Sequence, residues 1–251
     1  LGAVDVVAKP GSSFATQGIG ADLVRAVRAA AGARVVRTED DPPAPAAGAA
    51  LDTTHRVLAI GASTGGTQAI ERVLRALPAT APGTVIVQHM PEHFTAAFAT
   101  RLDGLCAMHV REARDGDAVV PGVALIAPGN RHLLLHRSGA FYSVRVKDGP
   151  RVHHQRPAVD VLFQSVARHA GPNAVGVLLT GMGADGARGL LAMRDAGAHT
   201  IAQDEASSIV YGMPREAVRL GAADEVVDLA QVAATVMRRM LPGSAGKVAA
   251  P

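Results

Sequence analysis

Val57-Leu-Ala-Ile-Gly61-Ala-Ser63-Thr-Gly65-Gly66-Thr-Gln-Ala-Ile70 is the stretch whose reading decides the fold. Residues 57–61 form a short apolar run, long enough for a strand and too short for a helix. Glycines then break the run, and Ile70, Val73, Leu74 and Leu77 return at i, i+3, i+4 and i+7. That spacing is an amphipathic helix. An uninterrupted apolar strand is one buried on both faces, as in parallel sheets covered by helices. The same alternation continues along the chain. Further apolar runs lie at 84–88, 123–127, 175–180 and 200–203, and helical faces recur at Val159, Leu162, Phe163 and Val166 and at Leu229, Val232, Ala233 and Val236. The expected fold is therefore α/β: a doubly wound, mostly parallel, Rossmann-like sheet with helices on both faces. Residues 132–136 and 141–147, joined by Arg137-Ser-Gly-Ala140, differ in pattern and read as an inserted β-hairpin.

Upstream of this unit, residues 40–50 (DDPPAPAAGAA) lack apolar periodicity and read as a semi-rigid linker. Before it stand one strand-like run, residues 3–8, and one helix with Leu23, Val24, Val27 and Ala31 on a face. A single strand and helix bury too little surface to fold alone, so residues 1–39 read as the end of a domain whose front is missing. The expected organisation is 1–39, a linker at 40–54, a main domain at 55–241 and a tail at 242–251.

Composition removes several classes. The 251 residues carry 25 Lys+Arg against 22 Asp+Glu, a net charge of +3, and the basic residues are scattered. Seven aromatics (five Phe, two Tyr, no Trp) offer no stacking surface for single-stranded nucleic acid. A lone cysteine, Cys106, can form neither an internal disulfide nor a Cys-rich zinc site, and reads as a small buried hydrophobe. No run of ~20 apolar residues could cross a bilayer, and no signal-peptide pattern opens the chain. A cytoplasmic protein that neither binds nucleic acid nor inserts in a membrane is expected.

Three strand ends carry chemistry. Gly61-Ala-Ser63-Thr-Gly65 matches a G-x-S-x-G nucleophile elbow in the right context, after a strand and before a helix. On such a turn a serine hydroxyl is lifted toward solvent, and the free N–H groups of the new helix can hold an oxyanion. Chance alone gives only ~0.1 such matches at this glycine and serine content. A phosphate-binding or purely structural turn fits the pattern equally well, although no Lys-Ser/Thr follows as in a P-loop. His89 ends the next strand, so that both groups occupy the carboxyl edge where open α/β sheets build their sites. Thr180-Gly-Met182-Gly-Ala-Asp185-Gly186 follows a third strand; Asp185 is either a helix N-cap or the carboxylate that orients His89. Asp160, Asp195 and, more seriously, Asp204 compete with it. His89-Met-Pro-Glu92-His93 also fits H-x-x-E-H, an inverted zinc-protease signature. Pro91, however, suits a first helical position, which would leave His89 outside the helix, so no metal is assigned. The order Ser63, His89, Asp185 differs from the Ser-acid-His order of α/β-hydrolases.

The run Ala59-Ile-Gly-Ala-Ser-Thr-Gly-Gly66, then Gln88-His-Met-Pro91, then Leu179-Thr-Gly-Met-Gly-Ala-Asp-Gly186, resembles the catalytic domain of the bacterial chemotaxis protein-glutamate methylesterases, the CheB family. Ala127-Pro-Gly129, Arg156-Pro-Ala-Val-Asp160, Gln203-Asp-Glu-Ala-Ser207 and Tyr211-Gly-Met-Pro214 extend the match over about 55–228, in the family's order. The resemblance implies a cofactor-independent hydrolase acting on glutamate methyl esters of the cytoplasmic helices of chemoreceptors, with some members also deamidating glutamines. A catalytically silent receptor- or partner-binding module is the alternative. Ser63 falls on the family's nucleophile, His89 on its base and Asp185 on its acid, and the chain order then agrees. Thr64 and Met182 lie beside the active site, and their backbone N–H groups are candidates for the oxyanion hole. Gly2-Ala-Val-Asp-Val-Val-Ala-Lys9-Pro10 is similar to the last strand of a response-regulator receiver domain. That implies a parent protein served by a chemotaxis histidine kinase, with the phosphoacceptor aspartate absent from this chain. Gln155-Arg-Pro-Ala158 departs from the His-Arg-Pro-Ser common in the family, and leaves open whether His153 or His154 substitutes.

Overall fold

The computed structural model describes residues 19–33 and 55–240. Its element order is α1 (Ile19–Ala31), β1 (Val57–Ala62), α2 (Gly66–Ala76), β2 (Gly83–Gln88), α3 (Thr95–Asp103), β3 (His109–Glu112), β4 (Val123–Ile126), β5 (His132–Ser138) and β6 (Phe141–Lys147). There follow α4 (Val159–His169), β7 (Ala174–Leu178), α5 (Ala187–Asp195), β8 (His199–Gln203), α6 (Met213–Arg219), β9 (Glu225–Val227) and α7 (Leu229–Met240). Seven strands form one sheet in the order β3-β4-β2-β1-β7-β8-β9, and every pairing in it is parallel. The α/β, doubly wound expectation is met, and β5 and β6 pair as the expected antiparallel hairpin.

Side-chain alternation along the central strands explains why their sequences read as unbroken apolar runs. Leu58, Ile60, Ile86, Val175 and Val177 enter one core with Ile70, Val73 and Leu74 of α2 and Val232 and Val236 of α7. Val57, Ala59, Val85, Val87 and Leu178 enter the other, with Val159, Leu162, Phe163 and Val166 of α4 and the hairpin's Leu133, Leu135 and Val144. Successive residues point to opposite faces, and both faces are covered. Each such large aliphatic side chain contributes about 1.5–3 kcal/mol by leaving water.

Two strands and one helix were not legible. β3 reads His-Val-Arg-Glu and β9 is three residues long; both are edge strands. Edges stay short and polar because an apolar edge would template aggregation, so they lack the apolar run that betrays a central strand. The helix α6 spans only seven residues, too few to display a periodicity. In α1 the stripe expected to be covered is open: Leu23, Val24 and Val27 are exposed, whereas Ala26 and Ala29 are buried. The run at 3–8, the linker at 40–50 and the tail at 242–251 lie outside the described residues.

Candidate active site

The sheet's winding reverses at β1, with β2 on one side and β7 on the other. Such a switch point opens a crevice at the carboxyl ends of the strands. Backbone hydrogen bonds continue past the strand ends and lock the three loops together: His89 N donates to Ala62 O (3.1 Å), Leu179 N to Gly61 O (2.9 Å) and Ser63 N to Thr180 O (3.0 Å). Ser63, His89 and the Thr180–Gly186 turn therefore leave the sheet side by side. Gly65, with φ 79°, turns the chain into α2, and a side chain there would strike Ile209.

His89 Nε2 lies 2.7 Å from Asp185 Oδ2, and both side chains are only 3% exposed. Asp185 also accepts Val159 N on Oδ2 (2.7 Å) and Asp160 N on Oδ1 (2.9 Å). These are the first N–H groups of α4, so the carboxylate sits on a helix N-terminus, where negative charge is favoured. Burial pushes the Asp185 carboxyl up. The His89 hydrogen bond and charge, with the two backbone donors, outweigh it and hold the group below its ordinary value. With Nε2 committed to Asp185, His89 Nδ1 is buried and finds no hydrogen-bond partner among the described residues.

Ser63 is 3% exposed, a correction to the expectation of a serine lifted into solvent. The cause is the packing of the third loop. A Cβ on Gly181 would lie 2.7 Å from Ser63 Cβ, so the bare glycine backbone rests directly on the serine. Segment 207–213 covers both glycine turns. Val210 N donates to Thr180 Oγ1 (2.9 Å), Gly181 N to Val210 O (3.0 Å), and the Thr180 hydroxyl is within reach of Thr64 O (3.0 Å). Gln203 Oε1 accepts Thr180 N (2.8 Å). Thr64 is buried beside Ser63, and the Met182 backbone N–H, in the acid's own loop, has no acceptor among the described residues.

Two of the three rival acids are engaged elsewhere. Asp204 binds its own loop through Ser207 N (3.0 Å) and Ser207 Oγ (2.6 Å). Asp195 ends α5. His89, Glu92 and His93 all precede α3, which begins at Thr95, so the H-x-x-E-H run lacks the helix that would put its histidines on one face. Asp160, the third rival, lies in the first turn of α4, accepts Gly189 N at the start of α5 (2.6 Å) and pairs with His153 Nε2 (2.9 Å). His132, which the sequence did not single out, accepts Ala158 N on Nδ1 (3.3 Å) and engages Pro150 O through Nε2 (2.8 Å). His153, Asp160 and Asp185 bring one ligand-type atom each within 4.8 Å of one another. Every oxygen of both carboxylates already accepts an N–H, however, so the group is a hydrogen-bonded cluster.

A parallel doubly wound sheet with serine, histidine and aspartate gathered at its switch point defines a class: α/β domains with the side-chain set of a serine hydrolase. Comparison with known proteins narrows it. Residues 58–236 match the family described as CheB methylesterase, and the chain belongs to that family. It is 56% identical over 243 residues to a protein-glutamate methylesterase/protein-glutamine glutaminase of Syntrophus aciditrophicus (strain SB), covering 95% of this chain and 71% of the relative. A protein of the same description from Anaeromyxobacter dehalogenans (strain 2CP-C) is 58% identical over 252 residues, 94% of this chain and 70% of its own. The crystal structure of the Thermotoga maritima CheB methylesterase catalytic domain superposes with a TM-score of 0.72 at 34% identity, covering 74% of this chain and 98% of that one.

Proposed function

We propose that this chain is a serine hydrolase that releases methanol from glutamate methyl esters, and ammonia from glutamines, on the cytoplasmic helices of bacterial chemoreceptors. The observation that carries the reading is His89, held through Nε2 by Asp185, with Nδ1 buried and without a partner among the described residues and its backbone N–H bonded to Ala62 O, next to Ser63. An unsatisfied buried nitrogen costs about 1–3 kcal/mol, a cost that makes sense where a proton must be received. In the reaction Ser63 Oγ attacks the ester carbonyl and its proton passes to His89 Nδ1. That proton leaves with methanol; a water molecule, deprotonated by the same nitrogen, then attacks the acyl-enzyme, and the proton returns to Ser63 Oγ as the acyl bond breaks and free glutamate forms. Asp185 holds the imidazole tautomer and stabilises the transient imidazolium. The Thr64 and Met182 N–H groups serve the oxyanion. No step requires a metal or cofactor.

Residues 55–241 form the catalytic unit, consistent with a family match that begins at residue 58. Residues 1–39 are the end of a receiver domain, joined through a linker at 40–54 and served in the parent protein by a histidine kinase; residues 242–251 are a tail. The test is methanol release from methylated receptor by the wild type and by Ser63→Ala, with serine labelling by a fluorophosphonate. Release and labelling that both vanish in Ser63→Ala support the reading. A wild-type chain that binds methylated receptor but neither releases methanol nor takes the label would be a binding module instead.

A further inference from the structure

The segment between β6 and α4 contains an unusual conformation. His153 (φ 50°) and His154 (φ 64°) are consecutive non-glycine residues in the left-handed region. Val152 and Gln155 bond to each other in both directions around them (3.0 and 2.8 Å), so the two histidines occupy the centre of a tight two-residue turn of the kind that asparagine and glycine usually fill. Backbone strain of this sort persists where the surroundings enforce it and clusters at functional sites. The turn aims His153 Nε2 at Asp160 Oδ2, 2.9 Å away.

Asp160 and Asp185 form a reciprocal pair. Asp185, just before α5, accepts the first N–H groups of α4, while Asp160, in the first turn of α4, accepts Gly189 N in the first turn of α5. Two buried carboxylates thus face each other, each with an imidazole on its outer oxygen: His89 on Asp185 and His153 on Asp160. Only the second imidazole reaches solvent, with 35% of its side chain exposed. Burial holds the Asp160 carboxyl above its ordinary value; the Gly189 N–H pulls it down, the Asp185 charge adds to the rise, and His153 offsets it only in part.

We propose that His153 is a positioning residue for the reaction: its bond to Asp160 steadies the first turn of α4, whose Val159 and Asp160 N–H groups hold Asp185 against His89. The proposal rests on the reading of Ser63, His89 and Asp185 as the reacting groups. The other groups around Asp160 are already committed. Buried His132 faces the α4 N-terminus from β5 with both ring nitrogens engaged, and Arg156 is bound to Asn130 Oδ1 and Gly149 O. Asp185 and Gly189 N–H complete the surroundings from the α5 side.

The test is kcat and KM for methanol release, with the rate of Ser63 labelling by a fluorophosphonate measured in parallel. His153→Ala, on an exposed turn, should lower kcat and the labelling rate about tenfold with KM unchanged. His153→Gln, whose amide N–H can replace Nε2–H, should restore both. Asp160→Asn keeps an acceptor for Gly189 N and should lower both at least as far as His153→Ala. Wild-type kcat and labelling in His153→Ala, with stability alone changed, would make the turn purely structural and overturn the proposal, and so would equal losses in His153→Ala and His153→Gln. Absence of labelling in the wild type would instead defeat the reading of the reacting groups, which separates the two failures.

Discussion

Gly181→Ala probes how tightly the nucleophile's position depends on the third loop. Gly181 does not have positive φ, so its backbone accepts alanine, and any effect comes from the added methyl. That methyl would overlap Met213 Sδ and lie 2.7 Å from Ser63 Cβ and 3.1 Å from Ser63 N. The Met213 side chain can swing away. Ser63 cannot, because its N–H is bonded to Thr180 O and its carbonyl accepts Gln88 Nε2 and Gly66 N. Restoring an ordinary carbon–carbon contact of about 3.5 Å requires a displacement of roughly 0.8 Å between Ser63 and the acid loop. Overpacking of this kind costs about 1–3 kcal/mol of stability. A misplacement near 1 Å costs on the order of 10²-fold in rate, so kcat should fall between about 10- and 100-fold in protein that is still folded.

The control is Gly83→Ala at the opposite end of β2, where a methyl would lie 2.7 Å from Val119 Cγ1 and 2.9 Å from the backbone at Val119 and Val120. It should destabilise comparably and leave kcat near wild type. Urea unfolding gives the folded fraction, and methanol release per folded molecule gives the rate. Wild-type kcat in Gly181→Ala, or equal losses of kcat in the two variants, would refute the argument that the Gly181 contact sets the nucleophile's position.

Asp185→Asn should lower kcat by about 10³–10⁴-fold, through the wrong imidazole tautomer, while the variant stays folded. Because the Asp185 carboxyl is held below its ordinary value, its contribution to stability is complete above the usual carboxylate range and is lost as pH falls through the lowered value. The stability gap between wild type and Asp185→Asn should therefore narrow below about pH 4, as read by urea midpoints across pH. Thr180→Val leaves Val210 N without its acceptor and should cost about 1–3 kcal/mol, with a smaller loss of kcat than Asp185→Asn, measured by unfolding and methanol release. Burial pushes the Cys106 thiol up to about 11, with Glu71 and Asp103 adding to it and Arg75 opposing. Native Cys106 should react with iodoacetamide at pH 8 about 10²-fold more slowly than in urea, and Cys106→Ser should leave kcat unchanged.

The elements legible in the sequence were those whose surroundings leave a local signature. Residues 57–61, 84–88 and 175–180 read as strands because burial on both faces demands apolar residues at every position. Ser63 and Asp185 stood out because the turns that carry them need glycine, and His89 because it ends a buried run. Edge strands β3 and β9, solvated and short, leave no comparable trace.

The sequence by itself determined the sheet class, the carboxyl edge as the site and the three residue types there, all consequences of periodicity and turn chemistry over a dozen residues. Tertiary structure alone decided how those residues are held. Ser63 lies recessed because a glycine 118 positions later packs on it. Asp185 is charged and buried because the first N–H groups of α4, 25 and 26 residues upstream, point at it. Asp160 and His153 join the same network through hydrogen bonds to α5 and to a strained turn. Such partners are chosen by packing α4 against α5 and against the sheet. No local pattern records them, since a first-turn aspartate or a loop histidine looks the same whether it faces water or another carboxylate.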